Sequence, residues 1–374
     1  MSVAISNHIY HLSIMSSQSL HSLSLVAAVS TVFVAIGSSL PATAATLTPS
    51  PLFENVTSYL TQIPTSAGAM DETDIYYPIV PEENIENTDF PIALMLQGAL
   101  VDQADYTNFA STVASYGFVV VVPNHERTVP NPETGELVTG LLAEQQQVND
   151  ALDHLITENT NPSSPIVGLV DTTKLGLLGH SFGGFVGLNS IQDICFPGVC
   201  SESFDQPSEL QAGIFFGTSY QNLDGSFLPI DNGNIPTGLI AGSLDSVIPL
   251  ENTEATYEQI QNPPRVLITV EGANHYGITN EDNLIREPIR PTLEQAVATE
   301  TIGRWSGLFL RAHLEEDQEA FEYVYQTGDD LDDNVIVINE VQNVEPEEIP
   351  EPSSILALLV FSAAGVGSLR KGNR

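Results

Sequence analysis

The sequence predicts an α/β fold: a mostly parallel, doubly wound sheet with helices on both faces. Three observations carry that expectation. Continuous apolar runs of strand length, such as Pro91 to Gln97 and Phe118 to Val122, suit strands buried on both faces. Segments with helical patterning separate such runs, which is the alternation of a parallel sheet with crossover helices. In Lys174-Leu-Gly-Leu-Leu-Gly-His-Ser-Phe-Gly-Gly184, a serine lies between two glycines where an apolar run gives way to a helical segment.

Taken in order, Asp74-Ile-Tyr-Tyr-Pro78 is rich in strand formers and ends at a proline, as an early strand of an open sheet does. Pro91 to Gln97 follows as a buried strand, then Gly98-Ala-Leu100 as a loop and a helical segment over Tyr106 to Tyr116. Phe118 to Val122 is the next buried strand and Pro123 closes it. The stretch from Asn124 to Gly140 is rich in proline and turn formers and reads as an irregular insertion. A long helical pattern covers Leu141 to Thr157. Val170 to Lys174 leads into the strand before Ser181, and Phe185 to Ile191 is helical. Further strands are expected at Ala212 to Phe216, Thr237 to Ala241 and Val266 to Val270, with a final helix over Thr292 to Leu314. A second irregular insertion runs from Ile194 to Gln211. Both insertions follow the carboxyl-side edge of the sheet, where ligands bind in such folds, so both are expected to wall a pocket.

The turn at Ser181 is a nucleophile elbow. It is so tight that side chains two residues before or after the serine would strike neighbouring backbone, and Gly179 and Gly183 remove them. The Ser181 hydroxyl is then held at the positive end of the following helix. Serine needs a base, and the base needs an orienting group. Only His275 and His313 follow Ser181 in the chain. His275 lies in Glu271-Gly-Ala-Asn-His-Tyr-Gly277, on a glycine-bearing loop past the last core strand, whereas His313 falls within an amphipathic helix and reads as a solvated surface group. Asp245, in Ile240-Ala-Gly-Ser-Leu-Asp-Ser-Val-Ile-Pro249, stands just past a strand on the same sheet edge. Asp224, Asp231 and Glu251 read more simply as surface charges. Two backbone amides are needed to hold an oxyanion: Phe182 supplies one, and Ala99 the other, with Leu100 as second choice. Gln97 occupies the position where many such sites carry histidine.

Charge excludes several partners. The chain of 374 residues carries 48 acidic and 10 basic residues, a net charge of −38, and its first basic residue is Arg127. Such a surface repels nucleic acid and anionic membranes. Cys195 and Cys200, the only cysteines, form one small disulfide loop in an exported protein or two free thiols in the cytosol. No histidine or second cysteine pair lies near enough for a metal, and nothing in the chain calls for a cofactor.

Both ends read as addresses. Leu23 to Leu40 is apolar and Ala42-Thr-Ala44 resembles a signal-peptidase site, so residues 1–44 are expected to be a secretory signal cleaved before Ala45, with an uncleaved membrane anchor as the competing reading. Residues 45–70 read as a lead-in and 71–325 as the folded domain. Gln326 to Glu351 carries nine acidic and no basic residues, and residues 326–349 are read as a solvated acidic linker. Its aspartates, Asp329, Asp330, Asp332 and Asp333, lack the spacing of a calcium loop. In residues 350–374, Pro350-Glu-Pro352 precedes an apolar run from Ile355 to Leu369, read as a hydrophobic anchor that tethers the chain to the membrane before processing, with an ordinary tail anchor as the alternative, and then Arg370, Lys371 and Arg374. That order resembles a Pro-Glu-Pro carboxy-terminal (PEP-CTERM) sorting signal of the kind exosortases process. Both addresses place the bulk of the chain outside the cytoplasm, at the cell surface or beyond it. The sequence sets no oligomeric state.

Asp-Ile-Tyr-Tyr-Pro78, Pro91 to Gly98, Ala114 to Pro123, Gly179-His-Ser-Phe-Gly-Gly184, Gly242 to Pro249 and Gly272-Ala-Asn-His275 fall in an order that resembles the dienelactone hydrolase-like branch of the α/β hydrolases. That branch includes chlorophyllases, cutinase-like polyester hydrolases and platelet-activating-factor acetylhydrolases, and the likeness covers roughly Asp71 to Val324. It implies a carboxylic ester hydrolase without metal or other cofactor, acting on a small-molecule or polymeric ester. In it Ser181 would be the nucleophile, His275 the base and Asp245 the acid. A non-catalytic surface protein on the same fold, and a peptidase or amidase with the same triad, are the competing expectations.

Overall fold

The computed structural model describes residues 49–81, 88–130, 136–200, 203–222 and 224–341. The expected secretory signal and the sorting signal lie outside them. The strands are β1 Val56–Pro64, β2 Met70–Pro78, β3 Phe90–Leu96, β4 Val119–Asn124, β5 Glu126–Pro130, β6 Leu137–Leu141, β7 Val170–His180, β8 Leu210–Phe216, β9 Thr237–Gly242, β10 Arg265–Val270 and β11 Val335–Glu340. The principal helices are α1 Thr107–Ser115, α2 Gln147–Thr160, α3 Phe182–Ile191, α4 Leu250–Tyr257 and α5 Gln295–Leu314.

Nine strands form one sheet in the order β1-β2-β4-β3-β7-β8-β9-β10-β11. The six from β4 to β10 pair in parallel, while β1, β2 and β11 pair antiparallel at the margins. This is the α/β-hydrolase fold expected from the sequence.

Alternation within the apolar runs builds the two layers. In β3, Ala93 and Met95 face the layer of α1 and α5, where Phe109, Trp305 and Phe309 pack. Ile92, Leu94 and Leu96 face the other layer with Val148, Leu155, Val186 and Ile191 from α2 and α3. Side chains of a strand point alternately to opposite faces, so a run that is apolar at every position can fill both cores at once. Each of the larger side chains, Ile92, Leu94, Met95 and Leu96, contributes about 1.5–3 kcal/mol. No helix among the described residues is long and apolar enough to cross a membrane.

Four expectations need correction. The lead-in contains β1, whose Ile63 is buried and which pairs along its whole length with β2. The first insertion is partly regular: β5 and β6 form a separate two-stranded hairpin, crossed by a 2.6 Å contact between the Thr128 and Thr139 hydroxyls. The helix expected from Leu141 begins only at Gln147, because Leu141 closes β6 and Ala143 to Gln145 are buried ahead of the helix. The acidic segment after Gln326 is folded as far as residue 341. There Asp332 is buried, accepting hydrogen bonds from the Trp305 indole (3.0 Å) and Arg304 (2.9 Å), and Val335 joins the core. Burial pushes the Asp332 carboxyl up, but these donors outweigh it and hold it below its ordinary range. The β-branched run Val335 to Ile338 then completes the exposed edge of β10, which a count of charges does not reveal.

Candidate active site

β7 ends at His180, α3 begins at Phe182, and Ser181 between them has φ 54° and ψ −117°. A non-glycine residue is rarely found at such positive φ, and the strain is held by the surroundings. The Ser181 amide donates to the Phe216 carbonyl at the end of β8 (2.9 Å), and its own carbonyl accepts from Gly184 (3.0 Å) and Phe185 (3.2 Å). A Cβ at Gly179 would lie 2.9 Å from the Gly184 backbone, and one at Gly183 would strike the Leu96 carbonyl, so the sheet and helix close only over glycine.

Asp245 and His275 come together at the same edge. The Asp245 Oδ1 atom accepts from the amides of Val247 (2.9 Å) and Ile248 (2.7 Å), which aims Oδ2 at His275 Nδ1, 2.7 Å away. Both residues are buried. An ionised carboxylate can only accept, so the ring donates from Nδ1 and presents a bare Nε2 when neutral. The pair lies against Gly217, where a Cβ would sit 3.1 Å from both the Asp245 and His275 atoms. Gly217 follows Phe216, the residue that holds the Ser181 amide, so the end of β8 borders all three residues, Ser181 after β7, Asp245 after β9 and His275 after β10. Among the described residues the Ser181 hydroxyl itself has no hydrogen-bond partner, and no bond joins it to His275. His313 is not at this edge. It lies roughly 20 Å further along α5 than the residues beside the His275 loop, and it is not solvated as expected. Its Nε2 contacts the Tyr325 hydroxyl at 2.8 Å, Phe309 and Phe321 surround it, and burial pushes it down to about 4.

The loop after β3 sorts the candidate amides. The Gly98 amide donates to the Tyr106 hydroxyl (2.9 Å) and the Leu100 amide to the Leu141 carbonyl (2.7 Å). Ala99 between them uses only its carbonyl, which accepts from Arg286 (2.8 Å). Its amide, like that of Phe182, has no partner among the described residues. Leu100, with φ 58°, is thereby removed as a donor.

A cavity of about 800 Å³ adjoins Phe182. Phe182, Phe185 and Phe196 give it an aromatic lining, Arg127 and Val129 from the hairpin and Val199 from the second insertion add to it, and Gln221, Asn222 and Asp224, the last expected only as a surface charge, form a polar side. Both insertions therefore supply walls. Cys195 and Cys200 are joined by a disulfide, which closes the short loop Phe196 to Val199 on that wall.

Sequence reasoning missed three supporting groups. Glu287 is fully buried and its carboxylate accepts from the Ser246 amide (3.1 Å), the Ser246 hydroxyl and the Ile289 amide (2.8 Å), tying the Asp245 loop to the segment after His275. Burial pushes this carboxyl up, but the donors outweigh burial and hold it below its ordinary range. His125 is buried between Asp71 (2.7 Å) and Glu144 (3.3 Å), beneath Arg127. Burial lowers its affinity for a proton, yet the two carboxylates raise it to about 9. Gln97, in place of the common histidine, donates to the His125 carbonyl (3.0 Å) and so anchors the end of β3. Tyr106 and His180 form the third group. His180 belongs to the elbow motif and Gln97 stands out in the sequence, but the partners of all these groups lie far away in the chain, so their roles have no local signature.

Comparison with known proteins agrees with this architecture. Residues 41–289, about two thirds of the chain, match the family model described as PETase: PET hydrolase-like. The chain belongs to the PET hydrolase-like family. Among the relatives of this PET hydrolase-like protein, Cutinase est1 of Thermobifida alba is 24% identical over 254 residues, 67% of each chain. Cutinase cut1 of Thermobifida fusca is 24% identical over 204 residues, 54% of this chain and 53% of its own. Chlorophyllase-1, chloroplastic, of Citrus unshiu is 22% identical over 120 residues, 30% of this chain and 36% of its own. The match thus spans between about half and two thirds of the length of these two cutinases.

Proposed function

We propose that this protein is a serine hydrolase that cleaves a carboxylic ester through an acyl-enzyme. The observation that carries the reading is the buried 2.7 Å contact between Asp245 and His275, set beside a serine held at φ 54°. His275 Nε2 takes the proton of the Ser181 hydroxyl as its oxygen attacks the ester carbonyl, and Asp245 steadies the imidazolium. The amides of Phe182 and Ala99 receive the negative charge that develops on the carbonyl oxygen. His275 then returns its proton to the leaving alcohol. Water enters, gives a proton to His275 and attacks the acyl-enzyme, and Ser181 leaves with that proton while the carboxylic acid departs.

An uncharged, apolar group on the substrate is supported by the aromatic lining of the cavity next to Phe182 and by the acidity of the chain, which disfavours anionic ligands. Relatives named as cutinases and a chlorophyllase, within a family named for PET hydrolysis, support an ester bond as the target. Export is supported by the disulfide, which persists in oxidising compartments. On this reading signal peptidase releases the chain at Ala45 and an exosortase-type enzyme processes the end after Pro350.

Incubation with a fluorophosphonate probe tests the central claim. Wild-type protein should be labelled and Ser181→Ala should not, and p-nitrophenyl esters should be hydrolysed in preference to matched amides. An unlabelled, inactive wild type would remove the enzyme reading.

A further inference from the structure

The residue before the nucleophile has no part in the scheme above, yet it is completely buried and fully hydrogen-bonded. His180 Nε2 lies 3.0 Å from the carbonyl of His275, and Nδ1 lies 2.9 Å from the Tyr106 hydroxyl. The same hydroxyl receives the Gly98 amide at 2.9 Å. Neither His180 nor Tyr106 is exposed at all.

Chemistry fixes the direction of every bond. A carbonyl oxygen can only accept, so the His180 proton is on Nε2. Burial, with the nearby His275 and Arg286 adding to it, holds this ring neutral by pushing its affinity for a proton well below the ordinary range, and Nδ1 is therefore bare. Tyr106 must donate to Nδ1, which leaves the Tyr106 oxygen to accept from Gly98. The chain of bonds runs from Gly98 N–H to Tyr106, from Tyr106 O–H to His180, and from His180 Nε2–H to the His275 carbonyl. Its three ends are the residue before Ala99, the residue before Ser181 and the backbone of His275. Close packing locks it as well: a Cβ at Gly98 would lie 2.7 Å from His180 Nδ1, and the His180 and His275 rings are 4.8 Å apart between centroids.

We propose that Tyr106 and His180 are positioning residues that hold the oxyanion loop, the elbow and the base in one fixed register. The inference rests on the proposed roles of Ser181, His275 and Ala99. A polar relay that satisfies every member makes one arrangement much better than its neighbours. Small displacements of catalytic groups cost large factors in rate, because donors aimed at the transition state work only in place.

Steady-state kinetics on a soluble p-nitrophenyl ester, with fluorophosphonate labelling rates alongside, test the relay. Tyr106→Phe removes one oxygen from a site it otherwise fills. It should lower kcat about 10- to 100-fold with KM nearly unchanged, and slow labelling in parallel. His180→Gln can still donate and accept from one amide, so it should keep more of kcat than His180→Phe. In the folded wild type, nitrogen NMR should show His180 protonated on Nε2 and bare on Nδ1, a readout independent of how the variants fold. A Tyr106→Phe enzyme with wild-type kcat, a loss confined to KM, glutamine no better than phenylalanine at position 180, or a proton on Nδ1 would each overturn the relay while the hydrolase reading stood. A wild type that neither labels nor hydrolyses esters would remove both.

Discussion

His125 should make the stability of this protein fall across mildly alkaline pH, by an amount its surroundings set. The ring is only 4% exposed and lies between the carboxylates of Asp71 and Glu144. These raise its proton affinity from the ordinary value of 6.5 to about 9. The folded state therefore holds the proton more tightly than the unfolded chain does. Stability from this source is complete below pH 6.5, declines above it, and is gone once pH has risen past about 9. The separation corresponds to on the order of 3 kcal/mol. His125→Gln keeps a polar side chain but cannot carry charge. It removes the cation from between Asp71 and Glu144, of which Glu144 keeps its ion pair with Arg127, so it should be less stable than wild type at pH 6, with the gap closing by about 3 kcal/mol towards pH 9. Urea unfolding is the assay, followed by fluorescence of Trp305, the single tryptophan and fully buried. Profiles of wild type and variant that stay parallel across that window would show that His125 is not charged between its carboxylates, and would refute the reasoning.

Three further outcomes are expected. Asp245→Asn should leave the fold intact and lower kcat by roughly 10³–10⁴, because an amide can turn its nitrogen to Nδ1 and favour the wrong tautomer; kcat within threefold of wild type in steady-state assays would contradict the triad. Replacing Cys195 and Cys200 together by serine should cost about 2 kcal/mol, as the closed loop is short, and calorimetry would read it as a lower Tm. Asp332→Ala strips the Trp305 indole and Arg304 of their shared acceptor and should cost about 2–4 kcal/mol in urea unfolding; an unchanged midpoint would count against a structural role for the acidic segment.

The parallel core of the fold was legible because its signal is local. Pro91 to Leu96 must be apolar throughout to fill two layers, and Gly179 and Gly183 are dictated by contacts within a few residues of a turn and with the adjacent strand. The expected pairing of Asp245 with His275 was also legible, since their places after successive strands of a parallel sheet bring them to one edge. What escaped was set by distant partners. Nothing near Asp332 announces that it will satisfy Trp305, and composition alone made its segment look solvated. His313 looked exposed on its own helix because the covering rings, Phe321 and Tyr325, come from the chain beyond it. Glu287 is indistinguishable in sequence from any other glutamate of an acidic chain, and only the fold brings Ser246 to it.

The cavity beside Phe182 takes much of its wall from the hairpin of β5 and β6 and from the disulfide-closed loop, both outside the nine-stranded sheet. The acid and histidine, by contrast, are rooted at strand ends. On the proposed function, much of what would set selectivity is thus written apart from the groups that would set reactivity, with Phe182 common to both. If that function holds, natural drift or directed evolution could recast the former by altering those excursions while the latter is inherited unchanged.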